Sequence, residues 1–385
     1  MRTLFTQTIE TPRPGLAKKL MLLNWPFLLL ITAIAGVGVA ALYSVAGGAL
    51  DPWASRHVVR YCVGLGLVFA IALSDIRWWM RAAYPLYLVA LILLALVPVF
   101  GVESGGAQRW LGFGPYSFQP SEMMKIALVL AIARYYQWLP PEQVSRPVGV
   151  LAPLLMIAAP VGLALDQPDL GTAALFGVVG CGLLFLAGVS WLYFLMAAVG
   201  IIAALPVVFE QLHDYQRERV LTFLDPERDP LGSGYHILQS KIAIGSGGLL
   251  GKGFMQGTQA QLNFLPEKHT DFIFTMYSEE MGFLGAVALL ALYLLALMFI
   301  VYMALRCRGT FGRLVAAGMG LCLFAYVFIN VAMVTGLVPV VGVPLPLVSY
   351  GGTSMLTMMV GLGFVLNAHV NRTERIRPEE LGLLW

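Results

Sequence analysis

The chain has 385 residues, of which 59% are hydrophobic and only 12% are charged, and its formal net charge is +3. Soluble domains carry about 25% charged residues. A single hydrophobic core stops growing at about 250–300 residues. This composition excludes a soluble globular protein, and the small net charge indicates no nucleic-acid partner. The sequence predicts a multi-pass membrane protein.

The apolar runs predict an all-α fold with about ten transmembrane helices, because about 20 apolar residues span a bilayer. The whole chain, 1–385, forms one integral membrane domain. It begins with a tail (1–24), has one large loop between the seventh and eighth spans (209–271), and ends with a second tail (369–385). The predicted spans are 25–44, 57–73, 79–99, 120–138, 148–165, 171–187, 190–208, 272–302, 314–336 and 346–368.

The distribution of Lys and Arg predicts the orientation of these spans. Basic residues concentrate in the two tails and in alternate turns, whereas the short loops on the other side contain only Arg56 and Arg109. Because short cytoplasmic segments carry an excess of Lys and Arg, both termini are expected in the cytoplasm. The loop 209–271 is then extracytoplasmic, and its part 232–254 is expected to be an amphipathic or re-entrant piece at the interface.

Four polar stretches lie at the predicted outer ends of the spans, where they can converge on one site. The first is GAQRWLGFGPYSFQPSEMMK (106–125) and the second is DQPDLGT (166–172). The third is the long loop from YQRERV at 215 to LPEKHTDF at 265–272, and the fourth is VPVVGVPLPLVSYGGTS (338–354).

In combination, these stretches resemble the SEDS family of bacterial cell-wall proteins over nearly the whole chain. The matching motifs are QPSE followed by Lys125, QPDLGTA, LPEKHTDFIF and GVPLPLVSYGG. The segment VVGVPLPLVS is more similar to the elongation branch of this family than to its division branch. The resemblance implies a peptidoglycan glycosyltransferase that polymerises lipid II at the outer face of the cytoplasmic (inner) membrane. It also implies a class B penicillin-binding protein transpeptidase and the elongation machinery as partners.

Asp271 is the candidate general base. Extending a glycan requires a base for a weakly acidic sugar hydroxyl and an anion clamp for the lipid pyrophosphate that leaves. Partial desolvation at the membrane boundary would raise the pKa of Asp271, and the neighbouring Lys268 and His269, which are also expected to contact substrate, would oppose that rise. Capping of the following helix is the alternative, and the resemblance favours catalysis because the family is understood to need the Asp of the HTDF motif.

Glu122 and Lys125 lie three residues apart, on one face of a helix. Both are expected to take part in substrate binding, with Lys125 and Arg109 contacting a phosphate of the lipid, and the alternative is a structural ion pair. Arg217 in the long loop could clamp pyrophosphate or an anionic peptide stem, or belong to an aqueous surface.

The remaining polar residues carry weaker hypotheses. Asp169 is expected to cap the sixth span, and the alternative is that Asp166 or Asp169 helps to hold a divalent cation, Mg²⁺ or Mn²⁺. Ser349 and Tyr350 either line the sugar or pyrophosphate pocket or belong to a packing seam. Glu279 and Glu280, inside the eighth span, are expected to make helix-packing hydrogen bonds.

A lipid II flippase is the alternative function, because many spans with central charges also suit a transporter. Transporters bind near the midplane between internal repeats. Here no repeat is detectable and the charges cluster at the outer end, which favours the enzyme. A scaffold for other wall enzymes would leave those charges unexplained.

Overall fold

The computed structural model describes residues 15–104, 107–113, 116–211, 217, 221, 222, 225, 233–261 and 267–374. Within these ranges the helices are α1 (Leu16–Leu22), α2 (Trp25–Val45), α3 (Ala54–Leu73), α4 (Ile76–Phe100), α5 (Pro120–Trp138), α6 (Pro141–Val144), α7 (Pro147–Asp166), α8 (Leu170–Ala187), α9 (Trp191–Gln211), α10 (Ser233–Ser246), α11 (Thr258–Gln261), α12 (Ile273–Arg306), α13 (Thr310–Val334) and α14 (Gly352–Val370). The strands are β1 (Gly101–Ser104), β2 (Ala107–Phe113) and β3 (Tyr116–Phe118).

A helix lies over each predicted span. In the described part of the chain, eight helices are long and apolar enough to cross a membrane, namely α2, α3, α4, α7, α8, α12, α13 and α14. Helix α5 falls outside this set because it carries Glu122, Lys125 and Arg134, and the apolar part of α9 is the shorter run Trp191–Ala204. The total of ten spans therefore stays a prediction.

The connection between α4 and α5 forms a small sheet, which the expectation of purely helical structure missed. Its three strands are antiparallel in the order β1-β2-β3, with Gly101 opposite Leu111 and Leu111 opposite Phe118. The two glycines at 105–106 are a hairpin signal in the sequence. The sheet holds Arg109, so it positions one of the predicted site residues.

The last span begins later than predicted, because residues 338–351 are not helical and α14 starts at Gly352. Pro344 and Pro346 disfavour the helical conformation at the residues before them, and Leu347 has a positive φ of 64°. This 338–351 segment runs into the interior, where Leu347 is buried. Its approach to α2 is so close that a Cβ on Gly38 would lie 2.7 Å from the carbonyl oxygen of Leu347.

The piece predicted as amphipathic or re-entrant, 232–254, contains helix α10 followed by turns. Helix α10 packs against two long helices, since the hydroxyl of Ser240 lies 2.7 Å from that of Thr275 and donates to the carbonyl of Val334 at 2.7 Å. The turns contact α12 at a kink, where Gly282 has φ 67° and ψ −168°. A Cβ on Gly282 would lie 2.2 Å from the amide nitrogen of Gly251, so glycine is required there.

Glu279 and Glu280 stabilise this junction. The carboxylate of Glu279 lies 2.6 Å from Lys252 Nζ and accepts hydrogen bonds from the backbone N–H and the hydroxyl of Thr258. Glu280 accepts a hydrogen bond from Ser44 of α2. The prediction that they make helix-packing hydrogen bonds is confirmed for Glu280, while Glu279 binds Lys252 and Thr258, which lie between α10 and α12.

The predicted orientation can be tested with single cysteines in a background without the four native ones, Cys62, Cys181, Cys307 and Cys322. We expect an impermeant thiol reagent to label Gln256→Cys in intact cells, because the 209–271 loop is predicted to be extracytoplasmic. Arg308→Cys, in the predicted cytoplasmic turn between α12 and α13, should react only after permeabilisation. Equal labelling of both in intact cells would contradict the predicted topology.

Candidate active site

The four polar stretches meet, as the sequence predicts. Arg109 Nη2 donates to the carbonyl of Pro168 at 2.9 Å, which joins the first stretch to the second. A Cβ on Gly171 would lie 2.9 Å from the carbonyl oxygen of Val341, which joins the second to the fourth. The backbone N–H of Tyr350 donates to the carbonyl of His269 at 2.9 Å, which joins the fourth to the third.

Asp271 lies at the centre of this junction. It is half-buried and stands two residues before α12, whose N-cap is Phe272 without a side-chain capping bond, so the helix-cap alternative is wrong. Burial, with a smaller contribution from the negative charge of Glu267, raises the pKa of Asp271 to about 7. A Cβ on Gly342 would lie 3.4 Å from Asp271 Oδ2, so the 338–351 segment forms a wall beside the carboxylate.

Asn330 of α13 links the backbone of Asp271 to the 338–351 segment, and the sequence analysis did not indicate it. Its side-chain amide donates to the carbonyl of Asp271 at 2.8 Å and to that of Val343 at 2.7 Å. A single Asn inside an apolar run is a weak signal, but polar groups within a membrane helix normally have a partner or a function.

The residues just before Asp271 pack against aromatic rings. The His269 ring stacks on Trp53 with centroids 4.6 Å apart, and the Tyr350 ring lies 5.8 Å from it. Burial lowers the pKa of Lys268, and burial also lowers the pKa of His269, an effect that Glu267 opposes and Lys268 reinforces. These protein surroundings therefore favour the neutral imidazole of His269.

Arg60 belongs to this cluster, although it was not among the predicted site residues. Its guanidinium carbon lies 4.4 Å from the centre of the Tyr350 ring, and its Nη2 donates to the Tyr350 hydroxyl at 3.2 Å. A cation inside a predicted span was a signal that could have found it. Ser349, in contrast, is buried and accepts a hydrogen bond from the Leu345 amide at 2.8 Å, so it stabilises the fold of the 338–351 segment.

Glu122 and Lys125 form a buried ion pair with a third member. Lys125 Nζ lies 2.6 Å from Glu122 Oε1, and the Tyr326 hydroxyl contacts Lys125 and donates to Glu122 Oε1 at 2.8 Å. Lys125 is only 3% exposed. Contact with a lipid phosphate would require this pair to open, so the geometry favours the structural alternative.

The contacts of Arg109 and Asp169 stabilise the fold, and neither these residues nor Asp166 form a metal-binding cluster among the described residues. Asp169 caps α8 through the backbone N–H (3.2 Å) and the hydroxyl (2.8 Å) of Thr172, which confirms that prediction, and Arg109 Nε lies 3.7 Å from its Oδ2. Asp166 is exposed. Among the described residues no group of three or more His, Cys, Asp or Glu could hold a metal ion. The divalent cation stays a prediction, and no step below depends on it.

Most of the long loop lies outside the described residues. Arg217 is described and exposed, but the residues around it, 212–216 and 218–220, are not described. Its proposed contact with pyrophosphate or a peptide stem stays a prediction.

The chain is similar to known proteins over most of its length. The cell cycle protein family FTSW_RODA_SPOVE matches residues 19–374. The chain is 46% identical over 348 residues to the peptidoglycan glycosyltransferase MrdB of Escherichia coli K12, covering 90% of this chain and 93% of that protein. A solved chain from a peptidoglycan synthase complex that coordinates polymerization and crosslinking is similar with a TM-score of 0.80 and 36% identity, covering 92% of this chain and 99% of that one. The rod shape determining protein RodA of Thermus thermophilus matches with a TM-score of 0.70 and 33% identity, covering 92% of this chain and 98% of that one.

If the Glu122–Lys125–Tyr326 cluster is structural, Lys125→Met and Glu122→Gln should each lower the free energy of unfolding by about 3–5 kcal/mol, because each leaves a buried charge unpaired. The double variant should be more stable than Lys125→Met alone, since no charge then remains. Thermal unfolding in detergent measures both effects. If Lys125→Met abolished polymerisation without lowering thermal stability, Lys125 would be a substrate contact instead.

Proposed function

The chain belongs to the FtsW, RodA and SpoVE family, the SEDS family, as a peptidoglycan glycosyltransferase, and we propose that it polymerises lipid II with Asp271 as the general base. The reaction takes place at the outer face of the bacterial cytoplasmic membrane during cell elongation. The single observation that supports this role is a half-buried carboxylate with a pKa near 7 where the HTDF and GVPLPL motifs meet.

The proposed chemistry is a displacement with inversion. The acceptor hydroxyl loses its proton to Asp271 while its oxygen forms a bond to the anomeric carbon of the donor, and the bond from that carbon to the lipid pyrophosphate breaks. A base accelerates such a step most when its pKa lies near the working pH. An ordinary aspartate, with a pKa of 3.8, would be a much weaker base, so the burial of Asp271 supports the assignment.

The pyrophosphate that leaves must meet positive charge or hydrogen-bond donors. Lys125 and Arg109 were the predicted contacts, but both already pair with carboxylates of the protein. Lys268 and His269, three and two residues before the base, are the other predicted contacts near it. The outer part of the loop, including Arg217, could add further contacts.

We infer that the protein works with a class B penicillin-binding protein transpeptidase in the elongation machinery. The support is indirect, because the similar solved chain comes from a complex that coordinates polymerization and crosslinking. Polymerisation should therefore be measured with and without such a partner. Both termini are proposed to lie in the cytoplasm.

Asp271→Asn should nearly abolish polymerisation, because the amide keeps the size of the carboxylate but cannot accept the proton. General-base assistance contributes about 10²–10⁴-fold, and a loss of that size is expected in the formation of glycan ladders from labelled lipid II. Asp51→Asn, an equivalent change at an exposed outer turn, serves as the control and should polymerise normally. Near wild-type ladders from a folded Asp271→Asn variant would refute the role of Asp271.

The pH dependence of polymerisation offers an independent test. Asp271 can act as a base only when ionised, and burial raises its pKa to about 7. The rate should therefore rise with pH up to about 7 and level off above it. Initial rates measured in buffers of constant ionic strength would show this, and a rate independent of pH between about 5 and 8 would indicate an unperturbed carboxylate.

A flippase would behave differently in the same assays. It would move labelled lipid II across a vesicle membrane without forming ladders, at a rate that Asp271→Asn need not change. Ladder formation by the purified protein with its partner therefore separates the two functions.

A further inference from the structure

One buried amide joins the two segments that surround the proposed base. Asn330 is fully buried, with 0% of its surface exposed. Its Nδ2 donates to the backbone carbonyls of Asp271 (2.8 Å) and Val343 (2.7 Å), and neither acceptor lies within a helix. Both protons of a single NH₂ group are therefore used to hold the base segment against the 338–351 segment.

We propose that Asn330 is a positioning residue for glycosyl transfer, which holds the carboxylate of Asp271 in place through the backbone of Asp271 itself. The inference rests on the proposed role of Asp271 as the base. Asn330 is fully buried and its amide binds the backbone of Asp271, not the carboxylate, so it acts through the groups that it binds.

The contacts restrict Asp271 at several points. Asn330 fixes its carbonyl, and the N–H of Tyr350 fixes the carbonyl of His269, two residues earlier, at 2.9 Å. With the backbone held twice, only the short side chain of Asp271 is left to rotate. On one side the carboxylate meets Gly342, whose φ of 71° and lack of a side chain allow the backbone to come close.

Such restraint matters because reaction rates depend steeply on placement. A displacement of about 1 Å can cost about 10²-fold in rate. The same restraint keeps the carboxylate partly shielded from water, and this shielding is the larger cause of its raised pKa. Loss of the Asn330 hydrogen bonds should therefore change both the rate and the pH at which the base ionises.

Other ionisable groups near Asp271 are left unchanged by a substitution at Asn330. Glu267, Lys268 and His269 lie on its own segment. His236 of α10 contacts Phe272, Tyr350 of the 338–351 segment contacts His269, and Arg60 of α3 contacts Tyr350. A shift in the pH profile of an Asn330 variant would thus report on the position and hydration of the base.

A second asparagine provides a matched control. Asn367, near the C-terminal end of α14, is 1% exposed, and its Nδ2 donates to the carbonyls of Ile71 (2.7 Å) and Ser74 (3.0 Å). It has the same side chain and nearly the same burial as Asn330, and its Nδ2 likewise donates to two backbone carbonyls. The site lies at the opposite end of α14, so Asn367 reports the cost of losing such a clamp away from the base.

The experiment compares Asn330→Leu with Asn367→Leu in the full-length protein, with labelled lipid II and the partner transpeptidase. Leu has the same branched arrangement of side-chain heavy atoms as Asn but cannot donate a hydrogen bond. We expect Asn330→Leu to lower kcat about 10²-fold with KM nearly unchanged, and to move the acidic limb of the pH profile to lower pH. Asn367→Leu should lower thermal stability while the pH profile stays that of the wild type.

If Asn330→Leu does not fold, Asn330→Ser replaces it, since a serine hydroxyl can reach at most one of the two carbonyls and should give a smaller shift in the same direction. A wild-type pH profile and wild-type kcat per folded molecule in the Asn330 variants would overturn the positioning role. Failure of the proposed function is a separate result, because it requires Asp271→Asn itself to polymerise lipid II.

Discussion

The pairing of backbone polar groups in the 338–351 segment is the constraint on which the rest of the structure depends. Irregular backbone at membrane depth is tolerated only where other protein groups satisfy it. Here side chains from three different helices do so: His57 Nε2 lies 3.0 Å from the carbonyl of Leu347, the Tyr293 hydroxyl donates to that of Pro346, and Asn330 donates to that of Val343. These hydrogen bonds hold a non-helical wall beside Asp271, which a continuous helix could not provide.

The need for a partner inside the protein applies to the charged side chains as well. Buried charges are costly unless they are paired, and most of those described here have partners within the protein: Lys125 with Glu122, Lys252 with Glu279, and Arg109 with Asp169. Asp271 differs, because among the described residues its carboxylate has no hydrogen-bonding or ion-pairing partner. The paired charges maintain the fold, while the unpaired carboxylate is available to accept a proton.

Much of the architecture could be predicted because the bilayer imposes a simple rule on sequence. Apolar runs of sufficient length became helices at every predicted span, and the Asp of the DLGT motif became a helix cap through ordinary local bonding. The sheet of residues 101–118 was missed because an assignment based on apolar runs does not register short strands. The start of α14 was misplaced because the composition of 346–351 suits a span, although the positive φ of Leu347 and the inward path of the segment are incompatible with a helix.

The sequence by itself determined the membrane class, the positions of the helices, the convergence of four polar stretches and the identity of Asp271 as the candidate base, since these depend on composition, local spacing and recognisable motifs. Only the tertiary structure decided which charges are free to act. Tyr326, 204 residues from Glu122, completes the ion pair that occupies Lys125. Asn330, 59 residues from Asp271, binds the backbone of the candidate base. Such contacts arise from helix packing between distant parts of the chain, and no local pattern encodes them.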